Sequence, residues 1–406
     1  MRLAIIGGGA SGMMAAVFAA RRGIAVDLYE RNEKLGKKLY ITGKGRCNLT
    51  NACEMEELLG SVKSNPKFLY SAFYGFTNRD AMEFFEKEGL RIKVERGNRV
   101  FPQSDRSADV LDTLKRAIRK AGVRVHLGSR VMRLWKESDR FFLKLEDGTA
   151  READRVFVAT GGISYESTGS TGDGYRLARE LGLKVTECCP SLVPFQIKES
   201  FVKELQGLAL KNISIRIVDG KKLLYEAFGE LMFTHFGVSG PVILTASSVC
   251  GKKIQEKELK LLLDLKPALT AEQLEARVLR EFEAAKNKKF GNVAGVFFPS
   301  RLAPVMVRLG GISSDKKVNE ITKEERRRFI QNMKELELTV TGLGGYNEAV
   351  VTKGGVSVKE INPATMESKK VPGLYFIGEV LDLDAVTGGF NLQIAWSTGV
   401  AAARAV

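Results

Sequence analysis

The sequence predicts an α/β fold, in which a doubly wound domain is interrupted by an inserted domain. The apolar run Leu3–Ile6, the small-residue stretch Ser11–Arg22 and the run Ile24–Tyr29 predict a strand, a helix and a parallel strand. From about Cys189 the pattern changes to alternating strands and then to basic helices. After Leu338 the chain returns to short apolar runs and ends in a small-residue helix, so we expect the C-terminus to complete the first domain.

The chain of 406 residues is long enough for more than one hydrophobic core. We expect residues 1–190 to form the first part of the α/β domain, 191–268 a β-rich insert, 269–340 a helical insert and 341–406 the C-terminal part. In the first part, periodicity predicts two helices, a strand and a hairpin that turns at Asp147-Gly148. These elements are Phe68–Glu88, Ser107–Ala121, Val123–Gly128 and Arg140–Thr160.

The insert begins as a predicted antiparallel sheet. The segment "LKNISIRIVDGKKLLYEAF" alternates apolar and polar residues and turns at Asp219-Gly220. From Thr270 to about Lys334 the pattern is mostly helical and basic. A glycine pair later in the chain, in "GLGGYN", lacks the spacing of a second nucleotide-binding turn.

The charge makes nucleic acid a candidate partner. The chain has 63 Lys plus Arg against 48 Asp plus Glu, a formal charge of +15, which creates a field attractive to polyanions. The alternative is a basic surface with no specific partner. Local clusters are Lys115-Arg116-Arg119-Lys120, Lys286-Lys288-Lys289 and Arg326-Arg327-Arg328.

The cysteine and histidine content argues against several classes of protein and of catalytic site. Five cysteines without metal-ligand spacing argue against a disulfide framework and favour a reducing cytoplasm. Only His126 and His235 are present, so neither a zinc site nor a Ser-His-Asp triad is expected. Glycines interrupt the first apolar run, and no apolar stretch is long enough to cross a bilayer, so we expect a soluble protein with no metal and no membrane partner.

The N-terminal turn carries a dinucleotide-binding fingerprint. Gly7-x-Gly9-x-x-Gly12 follows a strand and opens a helix, with Ala10 and Ser11 inside the turn. Such glycines allow backbone to approach a pyrophosphate, and the helix N-terminus favours the anion. Acidic Glu30 ends the second strand and is suited to ribose hydroxyls, which disfavours a 2′-phosphate and hence NADP in this site.

The C-terminal segment indicates which dinucleotide binds. Glu379 follows the predicted strand Leu374–Ile377, and the glycine pair Gly388-Gly389 precedes a helix. This resembles the flavin segment of two-dinucleotide-binding-domain flavoproteins, in which the acidic residue binds ribitol and the helix N-terminus points toward the flavin ring. A helix dipole placed there stabilises negative charge on reduced flavin. The stretch "ATGGISYESTGSTGDGY" adds small residues that let a cofactor lie against backbone.

Several motifs along the chain together resemble one bacterial flavoprotein family. They are "GGGASG", "KLYITGKGRCNLTN", "NRVFPQSDRSADV", "ATGGISYESTGSTGDGY", "LVPF", "THFGVSGP", "TKGGV" and "TMESKKVPGLYFIGEVLDLDAVTGGFNLQIAW". The family is typified by the YhiN and BaiN proteins and is also labelled aminoacetone-oxidase-like. The resemblance implies a Rossmann-like FAD-binding domain with an inserted β-barrel and helical domain. It also implies reactions that differ among members: reduction of a uridine in large-subunit ribosomal RNA, reduction of conjugated steroid double bonds, and amine oxidation.

The expected FAD-binding residues are spread over both ends of the chain. They are Gly7, Gly9, Ala10, Ser11, Gly12, Glu30, Arg31, Lys38, Gly45, Arg46, Cys47, Asn48, Val131, Thr160, Gly161, Gly162, Gly378, Glu379, Gly388, Gly389, Phe390, Asn391 and Leu392. Arg106, Tyr165 and His235 are candidate substrate contacts, although His235 lies beside a predicted helix start and is also suited to a structural role.

The stretch "ITGKGRCNLTN" is the candidate catalytic segment and matches neither a helix nor a strand pattern. Reducing the C5=C6 bond of uridine requires hydride from flavin N5 and a proton from a general acid. We expect Cys47 to supply the proton, with Lys44 and Arg46 holding phosphate or a carbonyl. These basic neighbours also favour the thiolate. Packing in the core is the alternative for Cys47, and replacing it with Ala is expected to leave FAD bound and to slow reduction.

Three functions remain open at this point. The first is an FAD-dependent reductase of a ribosomal RNA uridine, with affinity from phosphate contacts that weaken with salt. The second is a small-molecule oxidoreductase acting on an enone or an amine. The third is a non-catalytic flavoprotein or ribosome-associated factor. Because no second strand-borne GxGxxG is visible, NAD(P)H is expected to reach the flavin only transiently if it is the reductant.

Overall fold

A computed structural model describes all residues from 1 to 406. The chain forms two compact units. The first is Met1–Ser191 together with Gly345–Val406, and the second is Leu192–Gly344. Each unit has a hydrophobic core of its own, so the second is an insertion into the first.

The N-terminal part of the first unit alternates strands and helices. Its strands are β1 (Arg2–Ile6), β2 (Ala25–Tyr29), β3 (Thr50–Asn51), β4 (Ile92–Glu95), β5 (Arg99–Pro102), β6 (Arg124–His126), β7 (Val131–Glu137), β8 (Arg140–Leu145), β9 (Ala150–Ala153), β10 (Arg155–Val158) and β11 (Cys189–Ser191). Its helices are α1 (Ala10–Ala20), α2 (Lys37–Ile41), α3 (Met55–Gly60), α4 (Tyr70–Gly75), α5 (Asn78–Lys87), α6 (Ser107–Lys120) and α7 (Asp173–Glu180).

The inserted unit and the C-terminal part follow. The insert contains β12 (Phe195–Ile197), β13 (Ala209–Asp219), β14 (Lys222–Phe233), β15 (Gly237–Ser239), α8 (Pro241–Glu256), β16 (Leu259–Asp264), α9 (Ala271–Ala284), α10 (Phe290–Val293), α11 (Ala303–Gly310), α12 (Lys323–Lys334) and β17 (Leu336–Leu343). The C-terminal part contains β18 (Val351–Lys353), β19 (Leu374–Phe376) and α13 (Phe390–Ala405).

A parallel five-stranded sheet organises the first unit, in the order β19-β10-β1-β2-β6. Strand β1 pairs with β2 and β10, and its residues from Leu3 to Ile6 are buried, as expected for a strand in the middle of a parallel sheet. The C-terminal strand β19 pairs with β10. The predicted Rossmann-like α/β fold, completed by the C-terminus, is therefore confirmed.

Helices α1 and α13 pack closely because small residues face each other. A Cβ on Gly399 would lie 2.8 Å from the Ser11 carbonyl oxygen. The Ser11 hydroxyl also donates to the carbonyl of Ile377, at the end of β19, over 3.4 Å. This packing brings the N-terminal turn and the C-terminal segment into the same region of the first unit.

The insert contains a closed six-stranded barrel in the order β12-β15-β14-β13-β16-β17. The predicted hairpin is confirmed, because β13 and β14 pair up to Asp219 and Lys222, and Gly220 in the turn has a φ of 58°. The sixth barrel strand, β17, begins at Leu336, inside the range that we expected to be helical. It pairs with both β12 and β16, so the strand that closes the barrel follows the helices of the insert in the chain.

Two predicted elements differ from the structure. The expected helix Phe68–Glu88 is divided into α4 and α5, because Phe76 is extended and Thr77 starts a new capping box with Asp80. The stretch from Ile41 to Asn51, predicted to be irregular, runs from the end of α2 through a tight turn into the short strand β3. None of the helices combines the length and the apolar character needed to cross a membrane.

Candidate functional site

The glycine-rich turn between β1 and α1 forms the floor of the candidate site. A Cβ on Gly7 would lie 2.4 Å from the Ala159 carbonyl oxygen, and a Cβ on Gly12 would lie 2.0 Å from the Gly7 carbonyl oxygen. Both positions therefore require glycine for backbone packing. Gly9 is different, because nothing lies within 4 Å of the position of its Cβ. Its open side is suited to a pyrophosphate that approaches the start of α1 at Ala10.

Glu30 lies at the end of β2 and is 6 % exposed. Its carboxylate accepts the Gly8 amide over 2.8 Å, the Asn32 amide over 2.8 Å and the Asn32 side-chain amide over 2.7 Å. These donors fix the carboxylate beside the glycine-rich turn. Oxygen lone pairs that are not used by these bonds are suited to ribose hydroxyls.

Arg31 has carboxylate and hydroxyl partners within the first unit. Its guanidinium bonds Thr171 and lies 3.3 Å from an Asp173 oxygen. Arg130 makes two hydrogen bonds of 2.9 Å to the same carboxylate. Burial alone would raise the pKa of Asp173, but the hydrogen bonds from Arg130 and the charges of Arg130, Arg31 and Arg176 hold it below its ordinary value. The arrangement ties α7 to the end of β2.

Lys38 and Glu379 connect the two ends of the chain. The Lys38 ammonium bonds both Glu379 oxygens, over 2.9 and 2.8 Å. One of these oxygens also accepts the Thr352 amide over 2.9 Å. A Cβ on Gly162 would lie 3.2 Å from that oxygen and 2.4 Å from the Thr352 hydroxyl, so the glycine pair Gly161-Gly162 lies against the same group.

The loop after α2 holds the three candidate catalytic residues in different environments. Lys44 is exposed and has a left-handed backbone, with a φ of 56°. Arg46 bonds Glu95 over 2.5 Å and Asp105 over 2.9 Å, and its guanidinium lies 4.1 Å from the centre of the Phe101 ring. In this structure two carboxylates and a ring occupy the Arg46 guanidinium. A role for Arg46 in holding a substrate phosphate or carbonyl stays a prediction.

Cys47 is fully buried and belongs to the core of the first unit. Burial raises the pKa of its thiol to about 12, although the Thr42 side chain acts in the opposite direction. The expected thiolate is therefore wrong, since the basic neighbours point elsewhere and the thiol keeps its proton at neutral pH. The role of Cys47 as a proton donor stays a prediction.

The C-terminal glycine pair and the helix after it show the expected geometry. Gly388 and Gly389 have φ angles of 132° and 98°, and a Cβ on Gly389 would lie 2.4 Å from the Thr50 carbonyl oxygen. Asn391 accepts the Ala385 amide over 2.9 Å and donates to the Ala385 carbonyl over 2.8 Å. Helix α13 begins at Phe390, and Leu392 lies in its first turn. The amides of this turn have no acceptor within the helix.

The residues present fit FAD. Four buried side-chain polar atoms have no hydrogen-bond partner within the protein. Two of them, the Asn48 Oδ1 and the Thr160 Oγ1, belong to residues expected to bind FAD, and a bound cofactor would supply partners for them. Gly9 leaves open space in front of a helix N-terminus, and Glu30 offers acceptors for ribose. Gly45, Gly378 and Val131 lie in the same unit, and the Val131 side chain is buried at the start of β7. Their contacts with FAD stay predictions.

The three candidate substrate residues lie in two different units. Arg106 is exposed just before α6, and Tyr165 has a φ of 56° and donates its amide to the Tyr346 carbonyl over 3.0 Å. Both belong to the first unit. His235 belongs to the inserted unit, where it is exposed and packs edge-on against Phe236 with ring centres 4.8 Å apart. The helix start predicted beside it is present, with Pro241 as the first residue of α8.

Sequence reasoning missed three supporting residues. Asn32 holds Glu30, and Asp173 binds Arg31 and Arg130. Thr352 accepts the amides of Ile163 and Ser164 over 2.9 and 3.1 Å and donates its own amide to Glu379. The motif "TKGGV" contains Thr352 and the motif "ATGGISYESTGSTGDGY" contains Asp173, so both motifs were signals, whereas nothing local marked Asn32.

A parallel sheet, a glycine-rich turn, buried Glu30 at the end of the second strand and Glu379 before a C-terminal helix define a Rossmann-type FAD-binding protein. The family model described as "HI0933-like protein Rossmann domain" matches residues 1–405. The chain belongs to this family. It is an FAD-dependent oxidoreductase, so the hypothesis of a non-catalytic flavoprotein is wrong.

The chain is similar to three curated relatives over nearly its whole length. It is 35 % identical to the "3-dehydro-bile acid delta(4,6)-reductase" of Clostridium scindens, covering 100 % of this chain and 98 % of the relative. It is 32 % identical to the "Ribosomal RNA dihydrouridine synthase" of Escherichia coli K12, covering 98 % and 96 %. The Haemophilus influenzae protein of the same name is 31 % identical, covering 99 % and 97 %.

Proposed function

We propose that the protein is an FAD-dependent reductase of a C=C bond conjugated to a carbonyl, and that its favoured substrate is a uridine in large-subunit ribosomal RNA. The observation that carries the proposal is the similarity over nearly the whole chain to relatives whose names describe a reductase and a dihydrouridine synthase. Uridine and an enone present the same reacting group, a double bond next to a carbonyl. One arrangement of donors therefore serves either substrate.

The protein's own residues would bind the cofactor and control the proton. When bound, FAD supplies the hydride. Glu30 and the N-terminus of α1 would hold the adenosine and pyrophosphate, while Glu379, oriented by Lys38 and the Thr352 amide, would hold the ribitol. The first-turn amides of α13 would favour negative charge at the ring.

The proton would come from a group that keeps it at neutral pH. Cys47 keeps its proton at neutral pH, because burial raises the pKa of its thiol to about 12. Its thiol has no exposed surface in this structure, so the loop would have to uncover it before it could reach a substrate. Lys44 is exposed and has no carboxylate partner, so it is the cation of this loop that is free to meet an anionic or carbonyl oxygen. Arg46, which is bound to Glu95 and Asp105, would instead hold the loop in place.

Charge supports the RNA substrate. The formal charge of +15 favours phosphate contacts, which contribute affinity that falls with salt. A uridine inside folded RNA has to leave its stack before its base can reach a buried cofactor. A small enone is the second candidate, and it is supported by the similarity to the Clostridium scindens reductase. For that substrate the basic surface is incidental and turnover is insensitive to salt.

The electron donor is part of the proposal. One glycine-rich nucleotide turn lies between a strand and a helix, at Gly7–Gly12, and it is assigned to FAD. NAD(P)H would therefore reduce the flavin by a transient visit to the ring. Anaerobic mixing with NADH and with NADPH, followed by flavin absorbance, identifies the donor.

The test is direct. Ribosomal RNA from a deletion strain is compared with wild-type RNA by mass spectrometry, and one dihydrouridine is expected to be lost and to return with the gene. In parallel, the reduced protein is mixed without oxygen with a ribosomal RNA transcript or with a small conjugated enone. Unchanged RNA in the deletion strain, together with reoxidation by the enone alone, would reject the RNA substrate and keep the reductase.

A further inference from the structure

Helix α4 carries two exposed tyrosines side by side. Tyr70 is 49 % exposed and Tyr74 is 64 % exposed. Their rings are nearly parallel, at an angle of 6°, with centres 6.5 Å apart. Neighbouring Ala72 and Phe73 are buried, so the helix presents both rings to solvent from a packed support. Two flat ring faces on one short helix are a surface suited to stacking.

The segment that carries these rings contains cations and no carboxylate, although Glu57 and Asp80 lie just outside it. From Ser61 to Arg79 the chain contains three cations, Lys63, Lys67 and Arg79, and no carboxylate. Arg79 pairs with Glu54 over 2.8 Å, which leaves Lys63 and Lys67 as exposed cations without a carboxylate partner. Lys67 lies three residues before Tyr70, within the turn that leads into α4.

The same segment is joined to the loop between Glu379 and Gly388. Val62 forms a bridge with Ala385. The Lys63 amide donates to the Asp384 carbonyl over 2.7 Å, and the Asn65 side chain donates to the Asp382 carbonyl over 2.8 Å. The segment that leads into Lys67 and the two tyrosines is therefore hydrogen-bonded to a loop of the candidate flavin site.

The support behind the tyrosines is rigid. At the C-terminal end of α4, the Phe76 carbonyl accepts hydrogen bonds from Gln393 and Ser397 of α13, over 3.2 and 2.7 Å. All of these partners are buried. Helix α4 is thus fixed to the helix whose first turn is assigned to the flavin.

We propose that Tyr70, Tyr74, Lys63 and Lys67 form a binding surface for single-stranded RNA, which we name the tyrosine face. The rings stack on bases and the two ammonium groups contact phosphates. The surface takes the nucleotides that flank the reacting uridine while that base occupies the site. This inference rests on the RNA substrate of the proposed function.

The experiment measures RNA binding separately from reduction. A fluorescent oligouridylate of about ten nucleotides is titrated with the FAD-loaded protein, and anisotropy gives the dissociation constant. Tyr70→Ala with Tyr74→Ala is expected to weaken binding about 25-fold, or about fivefold for each stacked ring. Tyr70→Phe with Tyr74→Phe keeps the ring faces and is expected to stay within about twofold of wild type.

Two further variants test whether the effect is specific to the tyrosine face and whether its lysines contact phosphates. Phe228→Ala removes a ring that is 60 % exposed in the inserted unit, and it is expected to leave RNA affinity unchanged. Lys63→Gln with Lys67→Gln is expected to lower the slope of log affinity against log salt by about 1.4, or about 0.7 for each lost phosphate contact with a single strand. FAD content and turnover of a small enone show that each variant is folded.

The outcomes separate this surface from the proposed function. Unchanged affinity in both the alanine and the glutamine variants would overturn the tyrosine face, and so would a wild-type protein that does not bind the oligonucleotide. RNA that binds through these residues without reduction of any uridine would reject the substrate and keep the surface. Equal loss in the Phe and Ala variants would assign the tyrosines a structural role and overturn the proposal.

Discussion

At the residue scale, the thiol of Cys47 has the environment of a protonated and inaccessible group. It has no exposed surface, and burial raises its pKa to about 12. Cys188 and Cys189 are half-buried. We therefore expect iodoacetamide at neutral pH to label Cys188 and Cys189 first and to label Cys47 only on unfolding. Peptide mapping by mass spectrometry gives the order, and labelling of Cys47 at the rate of Cys189 would contradict it.

The buried thiols also predict how stability depends on alkaline pH. Burial raises the pKa of Cys47 to about 12 and those of Cys53 and Cys250 to about 11, against about 8.5 in an unfolded chain. Above that unfolded value the unfolded chain loses protons that the folded chain keeps, so the free energy of unfolding falls as pH rises. Each thiol contributes a slope of up to about 1.4 kcal/mol per pH unit.

Urea unfolding between about pH 8 and pH 10.5 measures this slope. Cys250→Ala provides the control, because it removes one buried thiol from the inserted unit. The slope of the free energy of unfolding against pH should become less steep by up to about 1.4 kcal/mol per pH unit, the contribution of one proton. A variant that keeps the full wild-type slope would show that this thiol titrates alike in both states.

Gly9 and Gly12 belong to the same fingerprint but fail differently when substituted. A Cβ on Gly12 would meet the Gly7 carbonyl oxygen at 2.0 Å, so Gly12→Ala is expected to cost about 1–3 kcal/mol of folding stability. Gly9 has a φ of −82° and open space, so Gly9→Val leaves the protein folded. It is expected to weaken FAD binding more than about tenfold, or about 1.4 kcal/mol, by filling the pyrophosphate space.

The two variants are compared by thermal unfolding of the apoprotein and by FAD titration. A Gly9→Val protein that binds FAD as wild type does would contradict the assignment of this space to the cofactor. Gly12→Ala is the matched control, because it should lower the melting temperature of the apoprotein whereas Gly9→Val should not.

Residues whose role depends on local sequence were predictable, and those whose role depends on distant partners were not. Gly7, Gly9 and Glu30 follow from a strand, a turn and a second strand within one βαβ unit. Arg46 shows the limit, since its partners Glu95 and Asp105 lie 49 and 59 residues away. The sequence shows a cation near a glycine but cannot show which carboxylates reach it.

At the element scale, the segment between β19 and α13 depends on the side chain of Asn391. It satisfies both the amide and the carbonyl of buried Ala385. Asn391→Ala leaves these groups unpaired, at a cost of about 1–3 kcal/mol each, and releases the loop that precedes Gly388-Gly389. We therefore expect FAD affinity to fall about tenfold or more. A tenfold loss corresponds to about 1.4 kcal/mol, which lies within the range of the cost of a single unpaired buried group.

Arg404→Ala is the control for this helix. Arg404 lies at the opposite end of α13 and donates to the Gly75 carbonyl, so its loss is expected to lower stability and to leave FAD affinity unchanged. Flavin fluorescence titration measures both variants. Equal loss of affinity in the two would show that α13 acts only through its overall stability.

Element boundaries were predictable where turn chemistry is strong. The hairpin turns at Asp147-Gly148 and Asp219-Gly220 appear as predicted, because both glycines have positive φ. Strand β17 was placed inside a helical range because its pairing partners, β12 and β16, are distant in sequence. The strand that closes a barrel is defined by its pairing with strands distant in sequence, and the hydrophobic periodicity of a local segment does not predict such pairing.

At the scale of the whole molecule, the inserted unit has the features of an independent folding unit. Its core contains buried residues only from Leu192–Gly344, and its ends meet where the Gly344 amide donates to the Pro194 carbonyl over 2.9 Å. We expect residues 192–344, expressed alone, to unfold in one cooperative transition followed by circular dichroism. A fragment of residues 191–268 is the control, because it lacks β17, which pairs with both β12 and β16 and closes the barrel. Cooperative folding of that shorter fragment would show that the β-rich part is a domain without β17, whereas failure of residues 192–344 to fold would show that the insert depends on the rest of the chain.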